Sequence, residues 1–167
     1  SVYIVLLIPV QALATTANTL VSNLIGAGGT DKVIALLHRI SGISFLIMVV
    51  CVALTVIFPN PILSIYTGDS GLVAESIPAL YVVCASMLLA SLANIYFNGI
   101  SGTGNTQAAL GVEVGVQVFY ALYVIVVGMV FRQPVEICFT TEIIYYVLML
   151  IFSLIYLKKA KWQNKKI

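Results

Sequence analysis

Long apolar stretches separated by short polar segments divide the chain into five predicted membrane-spanning helices. The stretches cover about residues 3–25, 40–58, 77–98, 108–131 and 135–157. Each is long enough to cross the ~30 Å apolar core of a bilayer as a helix. The pattern therefore predicts an all-α, polytopic transmembrane helix bundle over residues 1–157, followed by a basic tail at residues 158–167.

The first stretch carries polar side chains along one side. They recur every three or four positions, which places them on one face of a helix: Gln11, Thr15, Asn18, Thr19 and Ser22. Polar groups are costly in lipid and are tolerated where they face other helices or a water-filled cavity. The first span is therefore predicted to line a wet space, and the run Gly26-Ala-Gly-Gly ends it in a turn.

The structures of two segments that connect the spans can be predicted. Residues 31–39 alternate charged and apolar residues, which favours a short amphipathic helix lying on the membrane surface. Residues 65–76 are expected to form a solvent-facing loop, with Pro78 in the first turn of the third span.

The third span carries a second polar stripe, formed by Tyr81, Cys84, Met87, Ser91, Asn94 and Asn98. It runs into a glycine-rich segment at residues 99–106, which predicts another turn. Four glycines are expected to supply positive-φ turns or close helix approach: Gly26, Gly28, Gly102 and Gly104.

Carboxylates occur in both of the last two spans. Glu113, Gln117 and Tyr120 share a face of the fourth span. Glu113 is either a protonation or substrate-cation site, or a Glu near the cytoplasmic surface that is protonated or paired with backbone or Asn donors, because an unpaired charge there is expensive. Glu142 shares a face of the fifth span with Tyr146 and is expected to serve a vestibule or packing role near the outer surface.

Composition excludes a soluble domain. Hydrophobic residues make up 61% of the chain and charged residues 8%, against about 25% charged in soluble domains. The only basic run is the tail beside a span, so a nucleic-acid partner is not expected. The three cysteines have no metal or redox spacing, so neither a metal site nor a cofactor is predicted.

The distribution of Lys and Arg predicts the orientation in the membrane. Seven basic residues fall on the side of the tail: Lys32, Arg39, Lys158, Lys159, Lys161, Lys165 and Lys166. Arg132 stands alone on the other side. We therefore expect a multi-pass membrane protein with a cytoplasmic C-terminus. The membrane expected for it is the bacterial inner membrane. The number of spans is odd, and the sequence begins directly with apolar residues. We therefore expect it to be the C-terminal part of a longer chain.

Four segments together resemble the multidrug and toxic compound extrusion (MATE) transporters. They are TLVSNLIGAGGTDKV, ILSIYTGDSGLVAESIPALY, FNGISGTGNT and the closing YLKKAKW, and their order extends the resemblance over essentially the whole chain. The resemblance implies a twelve-span protein of two six-span lobes, in which these five spans are numbers eight to twelve, most of the C-terminal lobe. It also implies export of amphiphilic or cationic compounds by alternating access, driven by Na⁺ or H⁺, together with the remaining N-terminal spans.

The chain departs from the family pattern at two places. The stretch 84–94 has no carboxylate where many members carry one, and Ser101 replaces an Arg that usually precedes the glycine of the following turn. The coupling ion is therefore not assigned. The candidate residues of the substrate or ion cleft are Gln11, Thr15, Asn18, Asn94, Asn98, Glu113, Gln117 and Tyr120.

Two other functions stay open. A flippase for lipids or lipid-linked oligosaccharides would need basic residues in its cleft, and none of the eight Lys and Arg lies mid-span. The second open function is a membrane module that assembles with or regulates a partner protein and does not transport a solute. An enzyme is not expected, because no Ser/His, paired Asp or HExxH arrangement is present.

Overall fold

The computed structural model describes residues 2–130 and 135–159, and the regular elements in these ranges are helices. In chain order they are α1 (Val2–Gly26), α2 (Val33–Ile57), α3 (Pro59–Ser64), α4 (Ser70–Gly102), α5 (Thr106–Val124) and α6 (Val135–Lys159). A 3₁₀ turn at Thr30–Lys32 precedes α2, and a π-helical segment at Ile125–Val130 follows α5. Within these ranges five helices are long and apolar enough to cross a membrane, which confirms the predicted all-α polytopic bundle.

Helix α4 lies at the centre of the bundle and contacts each of the other four long helices. Its apolar side chains, among them Met87, Ile95 and Ile100, are fully buried. They pack against Val10 and Val21 of α1 and against side chains of the other long helices. Burial of α4 on several sides explains why the middle of its polar stripe, from Cys84 to Asn94, faces protein, whereas Tyr81 is exposed.

The long helices alternate in direction, so α1, α4 and α6 finish at the same end of the bundle. The side chains of Lys32, Arg39, Lys158 and Lys159 lie at this end, which we call the basic end. The rest of the predicted tail, residues 160–167, and Arg132 lie outside the described residues. The opposite end, where α1 and α6 begin, is called the far end.

Helices α1 and α4 approach closely at the basic end. A Cβ atom on Gly102 would lie 2.7 Å from the backbone oxygen of Asn18, and the Ser22 hydroxyl donates to the Gly102 carbonyl over 3.1 Å. Gly28 and Gly104 have positive φ angles of 80° and 76°, as predicted. Gly102 instead permits close helix approach from within α4.

The predicted surface helix at residues 31–39 is wrong. After the 3₁₀ turn, the chain enters α2 at Val33 and continues without a break to Ile57. Val33 and Leu37 are fully buried on the same face as Ser44. Their apolar side chains complete the bundle core, so this segment packs against α1 and α4 and does not lie on a membrane surface.

Helix α4 is longer than the predicted third span at both ends. It begins at Ser70, because the Asp69 carboxylate accepts hydrogen bonds from the backbone N–H groups of Gly71 and Leu72, at 2.9 Å and 3.4 Å. Pro78 therefore lies inside the helix and not in its first turn. The predicted loop at 65–76 and the predicted turn at 99–106 are both shortened by helix.

Candidate functional site

A polar cavity of about 330 Å³ lies between α1, α4, α5 and α6, toward the far end of the bundle. Its lining combines one carboxylate, three carboxamides, one leucine and tyrosines from three helices: Tyr3, Leu7, Gln11, Asn94, Gln117, Tyr120, Glu142, Tyr145 and Tyr146. An ionisable side chain that faces the interior of a membrane bundle marks a functional site by default. The cavity is therefore the candidate site.

Glu142 is held at the centre of this cavity by tyrosines from two other helices. The Tyr3 hydroxyl of α1 donates to Glu142 Oε2 over 3.3 Å, and the Tyr120 hydroxyl of α5 donates to Oε1 over 3.5 Å. The Tyr3 hydroxyl also lies 3.0 Å from that of Tyr146. Each carboxylate oxygen thus has one phenolic partner, and α1, α5 and α6 meet at a single acidic side chain.

The tyrosine rings form an aromatic wall beside the carboxylate. Tyr145 lies edge-on to Tyr120, with ring centroids 5.7 Å apart, and edge-on to Tyr146, with centroids 5.1 Å apart. Such T-shaped pairs stabilise one another and keep the rings in a fixed arrangement. A carboxylate next to fixed aromatic faces can attract an organic cation both by charge and by cation–π contact.

The remaining polar lining consists of three carboxamides, one each from α1, α4 and α5: Gln11, Asn94 and Gln117. The Asn94 side-chain N–H donates to the Ala90 carbonyl of its own helix over 3.0 Å. This bond fixes the orientation of the amide on α4, whose side chain is otherwise buried. The carboxamides can solvate an ion or a polar substrate group without adding charge.

Glu113 lies on α5 outside the cavity lining, but it is hydrogen-bonded to Tyr145, which lines the cavity. The Tyr145 hydroxyl donates to Glu113 Oε1 over 2.8 Å. The Glu113 carboxyl is therefore paired with a tyrosine of α6, whereas the sequence interpretation expected backbone or Asn donors. A role of Glu113 as a protonation or substrate-cation site stays a prediction.

The structure brings together four of the eight candidate residues in the cavity: Gln11, Asn94, Gln117 and Tyr120. The other four lie elsewhere: Thr15, Asn18, Asn98 and Glu113. The Thr15 hydroxyl donates to the Gln11 carbonyl over 2.9 Å, and the Asn98 amide donates to the Asn94 carbonyl over 3.0 Å. These two side chains hydrogen-bond within their own helices.

Sequence reasoning placed Glu142 in a vestibule or packing role and did not include Tyr3, Tyr145 or Tyr146 among the cleft candidates. For Tyr145 and Tyr146, substrate stacking was the alternative to a packing or interface role. The shared face of Glu142 and Tyr146, four residues apart, was a usable signal. For Tyr3 the sequence offered no such signal, because Tyr3 stands at the very start of its span and meets Glu142 only when the helices pack together.

Five helices that are long and apolar enough to cross a membrane, four of which line a polar cavity, define a multi-pass membrane protein. The MatE family model matches residues 1–137, so the chain belongs to the MatE family, which confirms the resemblance. Members of this family are transporters of the multidrug and cation antiport type. Comparisons with curated proteins and with solved structures gave no match.

Proposed function

We propose that the polar cavity is the substrate and cation cleft of a secondary active multidrug exporter. The exporter would exchange amphiphilic, cationic compounds for Na⁺ or H⁺ by alternating access. The observation that carries this proposal is the half-buried Glu142 carboxylate, held by Tyr3 and Tyr120 inside a tyrosine-lined cavity. A carboxylate and aromatic faces each attract an organic cation, and this cavity offers both.

Competition for one carboxylate gives a simple exchange mechanism. Glu142 is the one charged side chain among the described residues that line the cavity. A substrate cation and a coupling ion cannot both neutralise it at once, so binding of one favours release of the other. The stretch 84–94 of α4 has no carboxylate, which supports placing this exchange on α6.

The charge of the cavity argues against the alternative of a flippase for anionic headgroups. The described lining contains no Lys or Arg that could bind a phosphate. An anionic headgroup would instead meet Glu142 and be repelled. The cavity therefore supports a cationic substrate over a lipid-linked oligosaccharide.

The polar face of α1 supports a further part of the proposal, namely a facing lobe. Gln11, Thr15 and Thr19 are exposed on this face, and Gln11 also lines the cavity. Exposed polar groups in the middle of a span call for protein or water and not lipid. We infer that the remaining N-terminal spans of the transporter face this surface in the bacterial inner membrane, with the C-terminal tail in the cytoplasm.

The test uses the full native transporter in proteoliposomes, with export of the dye cation ethidium driven separately by a Na⁺ gradient and by a pH gradient. Glu142→Gln removes the charge but keeps the shape, and we expect it to abolish exchange under whichever gradient drives the wild type. Glu75→Gln is the matched control, because Glu75 is an exposed carboxylate outside the cavity. Ethidium export by Glu142→Gln at the wild-type rate would refute the proposed site.

A further inference from the structure

A second, apolar cavity lies on the outer surface of the bundle, between α5 and α6. It has a volume of about 430 Å³, and its lining includes Gly111 and Gly115 of α5 and Ile155 and Tyr156 of α6. None of its lining residues belongs to the polar cavity. We call this second cavity the lateral groove.

The depth of the lateral groove comes from its two glycines. A Cβ atom built on Gly111 or Gly115 would meet no atom within 4 Å. The described helices therefore do not require glycine at either position for packing. Larger side chains at these positions would fill the groove and leave the rest of the bundle undisturbed.

The length of the groove fits one leaflet of a bilayer. Its α5 side runs from Ala108 to Phe119, which is ~16 Å along a helix axis. That is about half of the ~30 Å apolar core. Phe119 of α5 and Phe152 of α6 lie at the end of the groove farther from the basic end. A membrane-spanning helix packed here would need a contact surface as long as the whole apolar core, which is about twice the length of the groove. An acyl chain from one leaflet needs only the length that the groove has.

A lysine lies beyond the other end of the groove, on the same helical face. Lys159 lies three residues beyond Tyr156 and four beyond Ile155, so it shares the helical face that lines the groove. Lys158 and Lys159 are both exposed. The Tyr156 hydroxyl accepts a hydrogen bond of 2.6 Å from the Asn105 amide, which fixes the tyrosine at this mouth.

We propose that the lateral groove binds an anionic phospholipid, with an acyl chain over Gly111 and Gly115 and the phosphate beside Lys159. Apolar lining below and positive charge at the headgroup level match the two halves of such a lipid. Basic sites between spans are known to select anionic headgroups in this way. The proposal is independent of the exchange site, because the two cavities share no residue.

The test is native mass spectrometry of the full native protein after exchange into a one-to-one mixture of phosphatidylglycerol and phosphatidylcholine. We expect the wild type to retain phosphatidylglycerol in preference. Lys159→Gln should lower that preference about fivefold. The double variant Gly111→Leu, Gly115→Leu should lose the retained lipid, since its side chains fill the groove.

Gly42→Leu is the matched control, because Gly42 is an exposed helical glycine on α2 with no atom within 4 Å of a built Cβ. It should retain lipid like the wild type. Equal retention of both lipids by the wild type would overturn the proposal. So would a double glycine variant that keeps its phosphatidylglycerol but dissociates from a second copy or from neighbouring spans, because the groove would then be a helix-packing surface.

Discussion

The Tyr145 hydroxyl donates a 2.8 Å hydrogen bond to Glu113, which joins α6 to α5 beside the polar cavity. Tyr145 lines that cavity, whereas Glu113 does not. The carboxylate therefore sets the position of an aromatic ring that a bound substrate would meet. Tyr145 also contacts Tyr120 and Tyr146 edge-on, so its position affects the whole aromatic wall.

A double-mutant cycle on Glu113→Gln and Tyr145→Phe tests this pairing. Each single variant breaks or weakens the same hydrogen bond, so the losses of stability should not add. We expect a coupling free energy of about 1 kcal/mol, within the range for interhelical bonds in membranes. The measurement is the free energy of unfolding of the full transporter in detergent, and additive losses would contradict the pairing.

Tyr3→Phe should weaken substrate binding without disrupting the fold. The change removes the hydroxyl that donates to Glu142 and contacts Tyr146, while the ring remains. We expect the KM for ethidium export to rise about 2- to 10-fold, as for loss of one hydrogen bond. Tyr66→Phe is the control, because Tyr66 is exposed outside both cavities. Unchanged KM in Tyr3→Phe would show that this hydroxyl does not organise the site.

Gly102→Ala should destabilise the contact between α1 and α4. The added Cβ would lie 2.7 Å from the Asn18 carbonyl oxygen, so one helix must move. We expect a loss of about 1–3 kcal/mol, typical of overpacking. Thermal unfolding in detergent measures it. Gly26→Ala, with no atom within 4 Å of its Cβ, should be neutral or slightly stabilising. Equal stability of the two variants would rule out a tight approach at Gly102.

Asp69→Ala should fray the start of α4. Its carboxylate accepts from the backbone N–H groups of Gly71 and Leu72, and loss of such a cap costs about 1 kcal/mol. Hydrogen exchange of these two amides should accelerate. Asp69→Asn should preserve their protection, because Asn caps about as well as Asp. Unaltered exchange in Asp69→Ala would mean that another group caps the helix.

The spans and their number could be predicted from the sequence, because they depend on local and additive properties. The family was predicted from the resemblance of four segments to known transporters. A run of apolar residues crosses a bilayer whatever its neighbours do. The boundaries were less predictable. Val33 and Leu37 resemble an amphipathic surface segment when read alone, and only the core between α1 and α4 shows where their apolar sides are buried.

Half of the eight candidate residues predicted from the sequence line the polar cavity, for a similar reason. Gln11, Asn94, Gln117 and Tyr120 lie on polar stripes, and a stripe identifies the face of a helix that avoids lipid. It does not say which part of that face meets another helix. Thr15 and Asn98 lie on the same stripes as Gln11 and Asn94 but outside the cavity.

The sequence by itself determined five membrane-spanning helices, their polar faces and membership of a transporter family. Only the tertiary structure decided that Glu142 meets Tyr3, a residue 139 positions away, and that Glu113 serves Tyr145. The reason is physical: helix periodicity fixes the face on which a side chain lies, whereas the depth and partner of that side chain depend on how separate helices pack against one another.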